Sequence, residues 1–398
     1  MKIAIHDYSG HPFTIQLSRE LAKRGHEIHY LYASFFQTPR GNLMKTTSDH
    51  RNFNITGISI GEEFEKYSYF KRIRQEIKYG FKLASKIKRI TPELVISANN
   101  PLDPQDILQR YCLGAEIKFI FWWQDVYSRA IYGHCSKHYG FLGKLIGQRY
   151  LALERKILQK SQAIVAITDD FFPWVRKWGI PESKVKIIEN WGPLSEIPML
   201  PKKNEWAESH GFSDKFCILY SGTLGLKHNP RILLEVARYF RNQENLAIII
   251  ISDGPAVTLL QNEKQKEGLT NLHFLPFQPF ELLPQVLATA DVFTAILEPE
   301  AGVFSVPSKI LTYLCAGRPI VAAVPQENLA ARILKSSDGG FVIDPSNEKD
   351  LILKIQKLID SPELRKKIGN KAREYAVAQF NILQKSDIFE DLINQVKF

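Results

Sequence analysis

The chain has 398 residues, a hydrophobic fraction of 44%, a charged fraction of 24% and a formal net charge of +10. The length predicts two domains with separate cores, and the composition excludes both an intrinsically disordered and a membrane-spanning protein. The positive charge favours phosphate-rich partners, namely nucleotides, nucleic acid or anionic lipid.

Two further features of the chain bear on its compartment. The start, Met1 to His6, lacks the apolar core of a signal peptide, and no apolar run approaches the length of a membrane span. The 4 cysteines are scattered, with no pair at metal-ligand or redox-motif spacing. We therefore expect packing cysteines in a reducing compartment and a cytoplasmic location.

The first half of the chain alternates short apolar runs with helical patterns. A strand over Lys2 to Ile5 is followed by a glycine-containing loop, Asp7 to His11, and by a helix that Pro12 opens and Gly25 closes. Further strands are predicted at Glu27 to Tyr32, Leu94 to Ala98, Lys118 to Trp122, Ala163 to Ile167 and Val185 to Ile188. This alternation predicts a doubly wound parallel sheet in a domain over residues 1–195.

A proline-punctuated stretch without periodicity, from about Asn190 to Trp206, is the predicted interdomain linker. After it, strands are predicted at Phe216 to Tyr220, Leu246 to Ile251, Leu272 to Leu275, Val292 to Ala295, Ile320 to Ala323 and Phe341 to Ile343, with helices at Pro230 to Arg241 and Ser308 to Cys315. The second domain, over 205–377, is therefore also α/β, and the last helix, about 378–398, is expected to pack back on the first domain. Two such sheets predict a ligand cleft at the carboxyl ends of their strands.

Two glycine turns at strand ends in the second domain are candidate phosphate-binding loops. The first, Tyr220 to Pro230, contains Gly222 and Lys227 and leads into a helix, so backbone N–H groups and a full positive charge can meet a diphosphate. The second contains Asp253 and Gly254, where glycine permits close approach of the backbone. Ordinary βα turns, with a solvated lysine in the first, remain the alternative.

The stretch from Glu298 to Val321 is an acidic, glycine-containing loop, then a helix that starts at Pro307-Ser308-Lys309 and returns to a strand through Gly317-Arg318-Pro319. With Gly25-His26 and the Ser221-Gly222 to Lys227 loop, it resembles the retaining GT-B glycosyltransferases of family 4, the glycosyl transferases group 1. The resemblance covers nearly the whole chain. It is strongest to the branch with a Pro-Ser-Lys helix start, which includes colanic-acid-type transferases of surface-polysaccharide assembly.

The resemblance implies two Rossmann-like domains, transfer of a hexose from a nucleotide-sugar with retention, and no cofactor. It implies a donor-binding set of Gly10, Ser221, Gly222, Thr223, Lys227, Asp253, Gly254, Phe277, Phe304, Ser305, Val306, Ser308, Lys309 and Thr312. The family has two glutamates eight positions apart where this chain has Phe304 and Thr312, so Glu300 or Glu298 is expected to take the first role. An arginine that often follows the loop glycine is Thr223 here, which leaves Lys227 to carry more of the charge.

Metal ligands are not evident in the sequence. No Asp-x-Asp pattern occurs, and the adjacent Asp169-Asp170 pair precedes a helix whose start it can stabilise. Basic groups and helix ends are therefore expected to stabilise the leaving nucleotide without a metal. The resemblance implies that retention then uses same-face attack assisted by the departing phosphate.

His11 and Asp125 are the acceptor-side candidates in the first domain. His11 follows Gly10 in the first loop, and a loop or capping histidine is the alternative. Asp125 follows a buried strand, where a carboxylate can position an acceptor hydroxyl, and a helix-capping aspartate is the alternative. Relatives often carry a histidine at the position of Trp123, which departs from that pattern. Asp125 and Glu300 are the expected catalytic carboxylates.

Residues 70–90 form a predicted amphipathic helix with eight basic residues against Glu76 on its polar face. The apolar face consists of Phe70, Ile73, Ile77, Phe81, Ala84 and Ile87. Packing of that face in the first domain is favoured, and the basic face then suits an anionic membrane surface. Tyr139 to Arg149 are expected near the same surface. The expected acceptor is therefore a saccharide or, where this surface meets a membrane, a lipid-linked saccharide, with a peripheral position on the inner face of the membrane as the alternative to a purely cytoplasmic one.

Other functions fit parts of the same pattern. A nucleotide-sugar epimerase or a phosphorylase has the same two-domain plan. A nucleotide-sugar-binding protein without activity would account for the replaced glutamates. A dinucleotide-dependent dehydrogenase is disfavoured because Gly10 stands alone, without a Gly-x-Gly-x-x-Gly pattern. Nucleic acid is excluded as a partner because the basic residues form no known recognition module.

Overall fold

The computed structural model describes the chain except residues 66–67, 226–227, 299–307 and 398 and the side chain of Lys397. The chain divides into two compact units: unit 1 comprises Met1–Glu189 and Ile382–Phe398, and unit 2 comprises Asn190–Asn381. The chain thus leaves unit 1 once and returns to it with its last helix. The division of roles drawn from the sequence, with an acceptor side over 1–195 and a donor side over 205–377, stays a prediction.

Unit 1 is built on a parallel sheet of seven strands. They are β1 (Lys2–Asp7), β2 (Glu27–Ala33), β3 (Phe53–Ile58), β4 (Leu94–Ala98), β5 (Lys118–Trp123), β6 (Ala163–Ala166) and β7 (Val185–Ile187). Their order is β3-β2-β1-β4-β5-β6-β7, so the direction of winding reverses between β1 and β4. In open α/β sheets, ligands bind at the carboxyl ends of the strands that flank this reversal.

The sequence patterns miss β3. It pairs with β2 at the edge of the sheet, and its four middle residues, which include Gly57, are partly or fully exposed, whereas Phe53 and Ile58 are buried. An edge strand buries little apolar surface, so the periodicity that identifies central strands is weak.

Helices cover both faces of this sheet. They are α1 (Pro12–Lys23), α2 (Tyr69–Ile90), α3 (Leu102–Gly114), α4 (Tyr127–Lys160), α5 (Phe172–Lys177) and the final helix α14 (Ile382–Lys397). The final helix packs on α1, where Arg24 lies 2.7 Å from carboxylate oxygens of both Asp387 and Glu390. Phe389 packs on Trp122 with ring centroids 4.6 Å apart. These contacts join the two chain segments of unit 1.

Helix α2 buries a different face from the predicted one. The buried residues centre on Glu76, Tyr79, Leu83 and Ile87, while Phe70 and Phe81, predicted on the buried face, are 85% and 64% exposed. The buried stripe is fixed by the close approach of α3, because a Cβ at Gly80 would lie only 2.8 Å from Pro104 Cα. The prediction for those two phenylalanines is therefore wrong, although the helix does pack in unit 1.

Helix α4 is a hairpin of two helical arms. Gly140 has φ 53° and ψ −127°, which interrupts the helix after residue 139. The arms then approach so closely that a Cβ at Gly143 would lie 1.9 Å from the carbonyl oxygen of Cys135, and one at Gly147 would lie 2.6 Å from Tyr132. Glycine is required at both crossing points because no larger residue fits there.

Unit 2 contains a second parallel sheet, of six strands. They are β8 (Phe216–Ser221), β9 (Leu246–Ile251), β10 (Leu272–Leu275), β11 (Val292–Ile296), β12 (Ile320–Ala323) and β13 (Gly340–Ile343). The order is β10-β9-β8-β11-β12-β13, with its reversal between β8 and β11. Every residue of β9 is buried, as expected for a central strand covered on both faces.

The helices of unit 2 surround this sheet. They are α6 (Glu205–Ser209), α7 (Arg231–Tyr239), α8 (Pro255–Glu267), α9 (Leu283–Ala288), α10 (Lys309–Ala316), α11 (Leu329–Ser336), α12 (Glu348–Asp360) and α13 (Pro362–Gln379). Two doubly wound parallel sheets therefore confirm the predicted fold class. Among the helices that the structure describes, none is long and apolar enough to cross a bilayer.

Candidate functional site

In unit 2, the end of β8 is fixed by a tyrosine from α10. The Ser221 N–H donates to the Tyr313 hydroxyl at 2.8 Å, and that hydroxyl donates to the Ser221 carbonyl at 3.0 Å. The Tyr313 ring stacks on Phe293 of β11 with centroids 4.1 Å apart. Burial raises the pKa of Tyr313, so the hydroxyl keeps the proton that it donates. Helix α10 is thus tied to both strands that flank the reversal.

Lys309 lies directly over the glycine turn that follows β8. Gly222 has φ +131°, and a Cβ there would lie 3.2 Å from Lys309 Cε and 3.3 Å from Lys309 Nζ. The same Nζ lies 3.7 Å from the centroid of the Tyr220 ring and is almost fully shielded from solvent. An ammonium group is therefore brought to the carboxyl end of β8, where the ring face favours a cation.

Other predicted donor residues surround this turn. Ser308 is exposed at the start of α10, and Thr312 is half-buried one turn later. Thr223 accepts a hydrogen bond from the Tyr220 hydroxyl through its carbonyl, which closes the turn. The first turn of α10 adds the partial positive charge of a helix N-terminus at the same end as Lys309.

The second predicted phosphate loop joins the first through the backbone. The Gly222 N–H donates to the Ile251 carbonyl at 3.0 Å, which places the end of β9 beside the first turn. Asp253 follows two residues later and accepts from the Gly254 N–H at 2.8 Å, while Gly254 has φ +108° as it begins α8. Phe277 follows β10, which lies two strands from β8.

Five predicted site residues, Lys227, Glu300, Phe304, Ser305 and Val306, lie outside the described residues. Glu298 is described and half-buried after β11. The described part of the donor site is therefore the Ser221-Gly222 turn with Lys309, Tyr313 and the start of α10. It offers a positive charge, a helix N-terminus and a turn in which Gly222 leaves the backbone open, which is a suitable combination for a diphosphate.

In unit 1, a buried carboxylate occupies the reversal of the first sheet. Asp7 ends β1, is fully buried, and accepts hydrogen bonds from Ser9 N–H at 3.0 Å, His11 N–H at 2.8 Å and Thr14 Oγ1 at 2.7 Å. Asn99, which follows β4, donates to it from Nδ2 at 3.1 Å. Burial opposes ionisation, but the positive charge of His11 and these donors outweigh it and lower the pKa of Asp7 to about 2. The group is therefore an anion at neutral pH.

His11 lies against this carboxylate. Its Nδ1 is 3.3 Å from Asp7 Oδ2 and 3.2 Å from Asn99 Nδ2, and the ring stacks on Phe13. The side chain keeps 22% of its surface exposed. A carboxylate-held imidazole of this kind is oriented for proton exchange with a ligand. Gly10 precedes it at φ +77°, where a Cβ would lie 2.8 Å from Leu43 Cδ1, so the turn requires glycine.

Asp125 lies half-buried between β5 and α4, and its charge adds to burial in raising the pKa of Tyr127. The start of α4 is stabilised by Glu154 from the second arm of the hairpin. Glu154 accepts from Trp123 Nε1 at 3.0 Å and from the Ser128 N–H at 3.0 Å. Trp123, at a position where the family resemblance implies a histidine, thus donates a hydrogen bond to a buried carboxyl group.

Sequence reasoning assigned no role to Asp7, Asn99, Tyr313 or Glu154. Asp7 had a usable signal, because a carboxylate at the end of the first strand precedes the glycine loop. Asn99 has a weaker one, because it is an asparagine directly after a predicted strand; in the structure it has φ 51°, a left-handed conformation that asparagine tolerates. In the described parts of the chain, no three His, Cys, Asp or Glu side chains come together so that they could hold a metal ion.

Comparison with known proteins agrees with this architecture. Residues 12–194 match Glycosyltransferase Family 4, and residues 202–375 match Glycosyl transferases group 1. Over 259 residues, 64% of this chain and 62% of the relative, the chain is 24% identical to WcaI of Escherichia coli strain K12, whose name assigns it to colanic acid biosynthesis as a glycosyl transferase. The chain thus spans about three fifths of the length of this relative.

Solved structures share the fold across the whole chain. Anabaena HepE, crystallised with UDP-glucose, is 16% identical with a TM-score of 0.73 over 99% of this chain and 100% of its own. WaaG, a glycosyltransferase involved in lipopolysaccharide biosynthesis, is 17% identical with a TM-score of 0.67 over 97% of this chain and 99% of its own. The predicted GT-B fold is thereby confirmed. Since the two family matches follow each other along most of the sequence, the chain belongs to the family 4, group 1 glycosyltransferases.

Proposed function

We propose that this protein transfers a hexose from a nucleotide-sugar to a saccharide or lipid-linked acceptor in the assembly of a surface polysaccharide, with retention and without a metal. The family supports sugar transfer. The names of WcaI and WaaG connect related chains with colanic acid and lipopolysaccharide. The UDP-glucose complex of HepE makes a uridine-diphosphate sugar the first donor to test.

The observation that carries the proposal is the contact of Lys309 with Gly222 at the reversal of the second sheet. A nucleotide-sugar presents a diphosphate whose negative charge increases as the glycosidic bond breaks. The ammonium group 3.3 Å from the Cβ position of Gly222 can approach that diphosphate across a turn without side chain. Because the charge is held in place before the reaction, it stabilises the leaving nucleotide without reorganisation. Lys227, outside the described residues, adds a second charge in this proposal.

Unit 1 supplies the acceptor side in this proposal. The Asp7 carboxylate orients the His11 imidazole, and Asp125 lies at the end of another strand of the same sheet. An imidazole with an anionic partner can accept a hydrogen bond or a proton from an acceptor hydroxyl. Retention then follows from same-face attack, with the departing phosphate assisting, as the resemblance to the family implies. Glu300 or Glu298 would contact the donor sugar.

The test is an assay of donor use followed by product analysis. The purified protein is incubated with UDP-, GDP- and ADP-hexoses, with short saccharides or lipid-linked saccharides as acceptors, with and without EDTA. We expect a glycosylated product that depends on both substrates, whose new linkage has the anomeric configuration of the donor by NMR, and whose rate EDTA leaves unchanged.

Three outcomes would contradict parts of this proposal. Conversion of the donor sugar to its epimer without an acceptor would indicate an epimerase. Donor binding without any product across the acceptors would indicate a binding protein, in agreement with the residues found at the two glutamate positions. Loss of the rate in EDTA, restored by Mg²⁺ or Mn²⁺, would contradict metal independence.

A further inference from the structure

The tip of the α4 hairpin, residues 137–145, exposes a cluster of large apolar side chains. Tyr139 is 54% exposed, Phe141 75%, Leu142 68% and Leu145 48%. Single exposed apolar residues are ordinary on protein surfaces, but a contiguous cluster marks a binding surface. These four side chains lie within seven consecutive positions and therefore form a contiguous cluster.

Of these four side chains, only Tyr139 takes part in the close contacts at the two glycines between the arms, with its Cβ 3.1 Å from the Cβ position of Gly143. The arms meet through Cys135 and Gly143 and through Tyr132 and Gly147, where the backbones are in close contact. Phe141, Leu142 and Leu145 are not among these contacts and are exposed. Because the arms are held together by close packing, the apolar cluster is presented on a rigid element.

The charged residues of the hairpin itself are all basic. Residues 126–153 contain no Asp or Glu, whereas Arg129, Lys137, Lys144 and Arg149 are basic, and of these Arg149 is paired with Asp103 of α3 at 2.7 Å. Lys144 is exposed between Leu142 and Leu145, and it has no ion-pair partner among the residues that the structure describes. A surface that combines aromatic and aliphatic side chains with uncompensated lysine suits the boundary between headgroups and acyl chains of an anionic bilayer.

The start of α2 extends this surface. Tyr69 forms a side-chain hydrogen bond with Cys135 in the first arm of the hairpin, and the next residue, Phe70, is 85% exposed. Two basic groups farther along α2 are less suited to lipid, because Arg74 lies 3.3 Å and Lys78 2.6 Å from carboxylate oxygens of Glu62. The hairpin tip combines its exposed apolar side chains with the exposed Lys144, which no ion pair among the described residues neutralises.

We propose that the hairpin tip docks this protein on an anionic phospholipid bilayer. Phe141, Leu142 and Leu145 enter the headgroup and upper acyl region, while Lys144 lies at the lipid phosphates. The apolar side chains provide insertion and Lys144 provides the preference for anionic lipid, so neither alone accounts for the surface. The proposal concerns a lipid surface only and does not depend on the transferase activity.

Vesicle binding of the full chain tests it, in the absence of nucleotide and of any glycolipid. Sedimentation is measured with vesicles of phosphatidylcholine alone and of phosphatidylcholine mixed with phosphatidylglycerol. We expect binding to the mixed vesicles that weakens with salt, and a loss of about tenfold or more in the Phe141→Ser, Leu142→Ser double variant. The matched control is Leu353→Ser with Val377→Ser, which alters two residues of unit 2 that are 61% and 56% exposed and should leave binding unchanged.

A second pair of variants separates charge from insertion. Lys144→Glu should weaken binding to the mixed vesicles, whereas Lys366→Glu, an exposed lysine of α13, should not. If the double serine variant fails to fold, Phe141→Trp gives an independent measurement, because its emission should shift to shorter wavelength only with anionic vesicles. No binding by the unmodified chain, equal binding to both vesicle types, or equal losses in test and control variants would overturn the proposal. So would a dimer in sedimentation velocity that the same tip substitutions dissociate, since the tip would then bind a second copy.

Discussion

The hydroxyl of Tyr313 contacts both backbone groups of Ser221, at 2.8 Å from its nitrogen and 3.0 Å from its oxygen. One side chain of α10 therefore supplies the hydrogen-bond partner for both the backbone N–H and the backbone carbonyl at the end of β8. Lys309 precedes Tyr313 by four residues and so lies on the same face of the helix. The position of the ammonium group over Gly222 thus depends on a hydrogen-bonded tyrosine one turn away.

Tyr313→Phe should lower both the stability of unit 2 and its affinity for a nucleotide. The ring stays packed on Phe293, but a buried N–H and C=O lose their partner, which costs about 1–3 kcal/mol. We expect this loss in urea unfolding and a several-fold weaker Kd for the donor nucleotide in calorimetry. Tyr239→Phe, which alters a tyrosine that is 58% exposed, is the control. Unchanged stability of Tyr313→Phe would show that water replaces the hydroxyl without cost.

Lys309→Met should weaken binding of a nucleoside diphosphate by roughly 10–100-fold, because a charge-assisted hydrogen bond contributes about 1.5–3 kcal/mol. Methionine keeps most of the apolar stem and removes the charge, so unit 2 should lose about 0.5–2 kcal/mol of stability with the cation–π contact to Tyr220 and remain folded. Lys366→Met on α13 is the matched control. Binding of the nucleoside without phosphates should be the same in all three proteins. An equal loss for nucleoside and diphosphate would assign Lys309 a packing function instead.

The sequence allows prediction of both parts of the donor site but not of their contact. Gly222 and Lys309 each stand in a recognisable local pattern, a glycine turn after a strand and the start of a helix. Their proximity depends on β8 and β11 being neighbours, which only the order of the strands establishes. Lys227 and Glu300 lie outside the described residues, so their roles stay predictions.

Asp7 and Asn99 show why the acceptor side was only partly predictable. The loop after β1 was recognised through Gly10 and His11, whose residue types suggest chemistry by themselves. Asn99 follows another strand, β4, and its amide reaches Asp7 only because β4 pairs with β1 across the reversal. A side chain whose function is to position another side chain by a hydrogen bond is difficult to identify from a local sequence pattern.

His11→Gln should lower turnover by about 10²-fold or more while the Kd of the donor nucleotide stays within about twofold, since proton transfer by a positioned imidazole contributes 10²–10⁴ in rate. Glutamine retains a polar side chain of similar length but cannot exchange the proton. His210→Gln, at an exposed histidine of unit 2, is the control. A parallel fall in turnover and donor affinity would instead show that His11 contributes to donor binding.

The buried Glu154 should make the stability of unit 1 depend on pH near neutrality. Burial, partly offset by the donors from Ser128 and Trp123, raises the pKa of Glu154 from 4.5 to about 7. Between these values the unfolded chain releases the proton and the folded chain keeps it, so the contribution to the free energy of unfolding falls as pH rises. It is fully present below pH 4.5 and lost above pH 7, a change on the order of 3 kcal/mol at about 1.4 kcal/mol per unit.

Glu154→Gln removes this titration, so the stability difference, unmodified protein minus variant, should decrease from pH 4.5 to pH 7 and then level off. Tryptophan fluorescence during urea unfolding is a suitable measurement, because Trp122, Trp123, Trp174 and Trp178 belong to unit 1. Glu116→Gln, at an exposed position of the same unit, should show no such trend. A difference that increases as pH rises toward 4.5 and is constant above it would mean that the hydrogen bonds of Ser128 and Trp123 outweigh burial and hold Glu154 as an anion. The start of α4, and with it Asp125, would then be held by a buried charge, and substitution by glutamine would cost most at every pH above 4.5.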